Sequence, residues 1–149
     1  MMPKNDTLYE RDFLAWCEDT ATKLKKRDLD NLDFENLIEE IKSLGRSERR
    51  ELKNRLTVLF THILKRMYIN SPENFNGWEV TIVEQRKQLK GLLKDSPSLK
   101  PYLTEILEEI YADALDIVTA EYKKTQFPKL WQFDTKTDAL LSEKYWEEE

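Results

Sequence analysis

Between residues 47 and 69 the apolar side chains Leu52, Leu56, Leu59, Phe60, Ile63, Leu64 and Met67 follow one another at one-, three- or four-residue steps. That spacing puts them on one side of an α-helix and on both sides of a strand, so it predicts a helix. The face is broad, as expected of a central helix that touches several neighbours. Glycine is scarce, with only Gly45, Gly77 and Gly91, and neither G-x-G-x-x-G nor G-x-x-x-x-G-K-[ST] occurs. Without such glycines the backbone cannot wrap closely around a phosphate, which excludes the common nucleotide-binding α/β folds. Four valines in 149 residues are also few for a sheet protein.

The same reading extends along the chain. Helix one is expected from Thr7 to Lys26, with Thr7 and Glu10 as a capping box and Tyr9, Phe13, Trp16, Cys17 and Leu24 on one face. Helix two is expected from Phe34 to Leu44, capped by Asp33, with Phe34, Leu37, Ile38, Ile41 and Leu44 as a buried stripe. Gly45 stands where a left-handed residue would end it. Helix three follows over Ser47 to Ile69, and residues 70–77 read as a loop. Helix four is expected from Trp78 to Lys94 and helix five from Ser98 to Tyr122, with Pro101 tolerated in its first turn. A short last helix runs from Thr135 to Tyr145, and Glu147, Glu148 and Glu149 are expected to fray. The prediction is an all-α antiparallel bundle of about five main helices plus a short C-terminal helix. It forms one domain over 1–149, with 125–149 as a tail packed on the bundle.

Charged residues make up 36% of the chain and the net charge is −5. That balance argues against indiscriminate nucleic-acid binding by the whole surface. The charges are segregated, however. Residues 28–40 carry Asp28, Asp30, Asp33, Glu35, Glu39 and Glu40 and no base, whereas residues 42–66 carry eight Lys or Arg against Glu48 and Glu51. Adjacent helices could complement each other, or the basic stretch could form a binding face. One cysteine, Cys17, allows no internal disulfide, and no apolar run approaches a membrane span or the core of a signal peptide. A cytoplasmic protein with no membrane contact is expected.

Several segments together resemble a bacterial family known as domain of unknown function family 29. They are LYERDFLAW at 8–16, LDFENLIEEIKSLGRSERRELKNRL at 32–56, HILK at 62–65, the tryptophan-led helix at 78–93, DSPSLKPYL at 95–103 and the Phe127-Pro128 tail. The family usually has tryptophan after the leucine-lysine pair, where this chain has Arg66 and then Met67. The resemblance implies an all-helical, stand-alone bacterial protein and supplies no reaction.

His62 is the only histidine. Glu51, Arg55, His62 and Arg66 fall along one polar edge of helix three, with Arg55 within about 20° of His62 on a helical wheel. His62 could exchange protons near neutral pH, and Arg55 and Arg66 could hold a phosphate. The Arg55-x6-His62 spacing is similar to the loose arginine–histidine pattern of helical, metal-independent ribonucleases of the HEPN type. Alternatively, His62 packs at the helix edge and donates a hydrogen bond. Glu40 lies at the margin of the helix-two stripe and would need a cationic partner, for which Arg55, Arg66 or His62 could serve. One histidine and one cysteine cannot build a zinc site, and a carboxylate site from Glu35 and Glu39 is the remaining metal reading. Cys17 on an apolar face reads as inert. No metal or cofactor is expected.

Trp16 and Trp78 read as core. Trp131 and Trp146, in a tail with little periodicity, could mark a partner surface with Phe133, or fold back on the bundle. The sequence thus favours a non-enzymatic helical interaction protein, with a protein partner or self-association through the tail aromatics or the basic face. The second reading is an RNA-binding or ribonuclease domain built on Arg55, His62 and Arg66.

Overall fold

A computed structural model describes residues 7–147, which form six helices and no strand. They are α1 (Leu8–Arg11), α2 (Phe13–Lys25), α3 (Phe34–Tyr68), α4 (Pro72–Asp95), α5 (Leu99–Glu121) and α6 (Thr137–Ser142). The fraying expected at Glu148 and Glu149 lies outside the described residues. The chain divides into two compact units, one ending at Ser47 and one beginning at Glu48.

In the first unit the expected helix one is broken at Asp12. Thr7 caps α1 by accepting from the Glu10 amide at 3.3 Å. Asp12 then adopts an extended conformation and caps α2 by accepting from the Ala15 amide at 3.0 Å. An Asp that can satisfy a free helix amide competes with continuing the helix through it. Just past the end of α2 the chain turns away at Arg27, which stands in the left-handed region with φ 61°. The Asp28 amide bonds to the Lys23 carbonyl and the Arg27 amide to the Leu24 carbonyl, which is the Schellman arrangement. Trp16, Thr20 and Leu32 are buried in this unit, and Tyr9 stands edge-on to Trp16 at 4.9 Å.

The expected helices two and three are one helix of 35 residues. Gly45 does not terminate anything, since no glycine among the described residues has a positive φ. A glycine ends a helix only if the chain after it turns away, and here Arg46 and Ser47 simply continue the helix. A Cβ added at Gly45 would meet nothing within 4 Å. Gly45→Ala is therefore expected to raise stability in dilute solution by about 0.5–1 kcal/mol, because alanine removes the backbone-entropy cost of a mid-helix glycine. A thermal melt showing a loss instead would mean that the helix does break there.

The second unit holds the main core. Leu52, Leu56, Leu59, Phe60 and Ile63 of α3 are fully buried, with Ile82 and Leu89 of α4, Leu103, Ile110 and Ala114 of α5 and Leu140 of α6. Residues 69–71 join α3 to α4 and residues 96–98 join α4 to α5. Such short connections make consecutive helices antiparallel neighbours. The cross-helix contacts agree. Arg55 meets Gln85 while Arg66 lies beside Glu79, so α4 runs against α3. Lys53 pairs with Glu109 and Lys65 with Glu121, so α5 runs with α3. Helix α4 begins at Pro72, within the stretch expected to be a loop. Proline in the first turn gives up no hydrogen bond there, and its fixed φ suits a helix start.

The segment after α5 lies on this core. The Tyr111 hydroxyl donates to the Pro128 carbonyl, and the Arg86 guanidinium donates to the carbonyls of Leu140 at 3.1 Å and Glu143 at 2.5 Å. A half-buried arginine thus takes up two carbonyls, one within α6 and one just beyond it. No described helix is long and apolar enough to cross a membrane.

Candidate functional site

The polar edge of α3 does not converge on one point. Arg55 and His62 lie seven residues apart, about 10 Å along the axis. The Arg55 guanidinium is engaged, with Nε donating to Glu51 at 2.9 Å and Nη1 donating to Gln85 at 3.3 Å. His62 Nδ1 stands 2.8 Å from the Val58 carbonyl oxygen. A carbonyl only accepts, so Nδ1 carries the proton and Nε2 is left as an acceptor. Burial holds the His62 pKa below its ordinary value, against a smaller opposing pull from the Val58 hydrogen bond, and the ring is uncharged at neutral pH.

This has a consequence for stability. The unfolded chain binds the His62 proton more readily than the folded one, so stability falls as pH drops from about 6.5 towards the lower folded value and levels off below it. Urea midpoints measured at pH 7.5 and pH 5 should therefore separate less in His62→Gln than in the wild type. An equal separation in both proteins would show that His62 contributes nothing to the pH dependence.

Arg66 sits in a packed cluster at the end of α3. Only 11% of its side chain is exposed, and its guanidinium lies 3.7 Å from the centre of the Phe75 ring and 5.4 Å from that of Trp146. Its Nε is buried without a hydrogen bond, 3.7 Å from a Glu79 oxygen that accepts from the Trp146 indole at 2.9 Å. The cluster borders an open cavity of about 500 Å³ that Asn70, Asn76 and Glu147 also line. The cavity sets one arginine against two carboxylates. Among the described residues, no hydrogen bond or ion pair joins any two of Arg55, His62 and Arg66.

Glu40 belongs to the first unit and accepts a hydrogen bond from the Tyr9 hydroxyl. That bond to a carboxylate pushes the Tyr9 pKa up to about 12. The cationic partners expected for Glu40, namely Arg55, Arg66 and His62, belong to the second unit.

Trp131 packs edge-on against Phe60 at 4.8 Å and lies beside Tyr111 at 5.8 Å, with its indole nitrogen buried and unpaired. Phe133 and Tyr145 complete the aromatic group around it. Among the described residues no cluster of three or more His, Cys, Asp or Glu is arranged to hold a metal ion.

A different surface stands out in the first unit. Phe34 is 51% exposed, Ile38 51%, Ile41 61% and Leu44 68%. These residues were expected to be buried. Phe34, Ile38 and Ile41 fall within a sector of about 60° that also contains Gly45, and Leu44 lies some 60° beyond Ile41. The side of α3 bearing Asn36, Leu37, Glu40 and Ser43 is the more covered one. The periodicity that could have revealed the exposed face was present in the sequence, but periodicity shows only that a face is apolar. Glu35 and Lys42 flank it, both exposed and without a partner among the described residues.

The family model described as Domain of unknown function DUF29 matches residues 8–146. Searches of curated proteins and of solved structures found no match. The family match covers both units and every helix described above, and the chain belongs to that family.

Proposed function

We propose that this chain is a non-enzymatic helical interaction module whose working surface is the exposed apolar face at 34–44 of α3. The observation that carries this reading is the row Phe34, Ile38, Ile41 and Leu44, each at least half exposed on consecutive turns of one helix. Isolated apolar residues on a surface are ordinary, whereas a contiguous apolar row marks a contact surface. An amphipathic helix laid along such a row would bury it through i, i+3 and i+4 anchors. The engagement of Arg55 by Glu51 and Gln85, with no bond joining any two of Arg55, His62 and Arg66 among the described residues, weighs towards binding over acid–base chemistry. The reading places the protein in a reducing cytoplasm, in keeping with its single free Cys17.

The test is affinity purification of the tagged protein from its native host, in RNase-treated and untreated lysate, beside the double variant Ile38→Asp/Ile41→Asp. Protein and RNA are both identified. A protein that survives RNase and is lost with the double variant is the expected result. RNA recovered equally by both proteins would move the function to Arg55, His62 and Arg66 and call for a cleavage assay.

A further inference from the structure

We propose that the occupant of this face is a second copy of the same chain, packed antiparallel about a twofold axis that passes between Ile38 and Ile41. The inference rests on the interaction reading above and names its partner. It comes from how size and charge are distributed along the row. Phe34, Ile38, Ile41 and Gly45 form the narrow centre of the face, at steps of four, three and four residues, which is the seam spacing of a coiled coil. Reversing a second copy about the midpoint of 38 and 41 sets Ile38 against the partner's Ile41 at the centre. It sets Phe34 against the partner's Gly45 at each end. The largest side chain of the seam meets the one position with no side chain, where 4 Å of open space surrounds a Cβ position. A parallel pair would put Phe34 on Phe34 and leave Gly45 facing Gly45 across a gap.

The charges select the same arrangement. Glu35 and Lys42 both lie on one flank of the seam, within about 90° of its centre. In an antiparallel pair the same flank of each helix meets across the interface, so Glu35 of one copy comes beside Lys42 of the other, twice by symmetry. A parallel pair would instead bring the acidic stretch from Asp28 to Glu40 against its own copy. The opposite flank carries the exposed Leu44, which widens the apolar contact.

Analytical ultracentrifugation of the full chain over a concentration series tests this. The wild type is expected to dimerise. Glu35→Lys and Lys42→Glu should each weaken the dimer by about tenfold, since each replaces two attractive pairs with two repulsive ones. The two single variants mixed in equal amounts should associate again, and so should the chain carrying both substitutions, because both combinations restore opposite charges across the interface. A dimer unmoved by either single variant, or a mixture that fails to recover, would overturn the antiparallel assignment. A wild type that stays monomeric throughout would overturn the second copy as occupant. If Ile38→Asp/Ile41→Asp then still abolishes capture of another protein, the interaction reading stands with a different partner. If it abolishes nothing, both readings fall. Both isoleucines are exposed in the single chain, so circular dichroism should show the double variant with unchanged helicity.

Discussion

Phe60→Ala is expected to cost about 3–5 kcal/mol of unfolding free energy, as befits a large side chain removed from the centre of a core. Phe60 has no exposed surface and stands where three elements meet. It comes from α3, lies edge-on to Tyr111 of α5 at 6.0 Å, and is covered by Trp131 at 4.8 Å. Alanine would remove the ring from between two other rings held by their own partners, Tyr111 by Pro128 and Trp131 by Phe133 and Tyr145. The cavity could collapse only partly, and that is what makes a truncation expensive. Chemical denaturation followed by circular dichroism measures the effect. A loss below about 1 kcal/mol would mean that the site repacks freely.

Trp131→Ala is expected to cost about 3 kcal/mol, at the lower end for an aromatic truncation because the ring is only partly buried. The segment from 125 onward has little regular structure before α6, so side-chain anchors hold it to the core. Trp131 is the largest of them, and its loss also exposes Phe60. Trp131→Phe should cost clearly less, since it keeps much of the ring contact and removes an indole nitrogen that is buried without a partner. Because Trp131 and Phe60 touch, the double alanine variant should destabilise by less than the sum of the singles. Dimerisation through the 34–44 face should be unaffected by Trp131→Ala at temperatures where that variant is folded. A variant of full stability that has lost partner binding would instead make the tail aromatics the working surface.

Some features were legible in the sequence because their causes are local. Helix α5 was expected between Ser98 and Tyr122 and spans Leu99–Glu121, since a serine-proline break before it and unbroken periodicity through it leave little choice. The residues expected to form the broad face of α3 from Leu52 to Leu64 are all buried. Signals with two physical meanings were harder to read. Gly45 can end a helix or ride within one, Pro72 can sit in a loop or open a helix, and Asp12 can decorate a helix or interrupt it. Which meaning applies depends on where the neighbouring chain goes. The same held for the site. The residues of the polar edge were identifiable, but the acceptors that engage Arg55 and surround Arg66, namely Gln85 and Glu79, lie on another helix.

Ile38 and Ile63 show where the division falls. They are the same residue, both in α3 and both on an apolar stripe, yet Ile38 is 51% exposed and Ile63 is fully buried. Helical class, the order of apolar stripes and the split of charge at residue 41 follow from the sequence alone, because periodicity, glycine content and charge are properties of the chain itself. Which stripe becomes core and which stays open was decided only by the tertiary structure. Burial belongs to a residue together with its neighbours, and α4, α5 and the C-terminal segment supply those neighbours to Ile63.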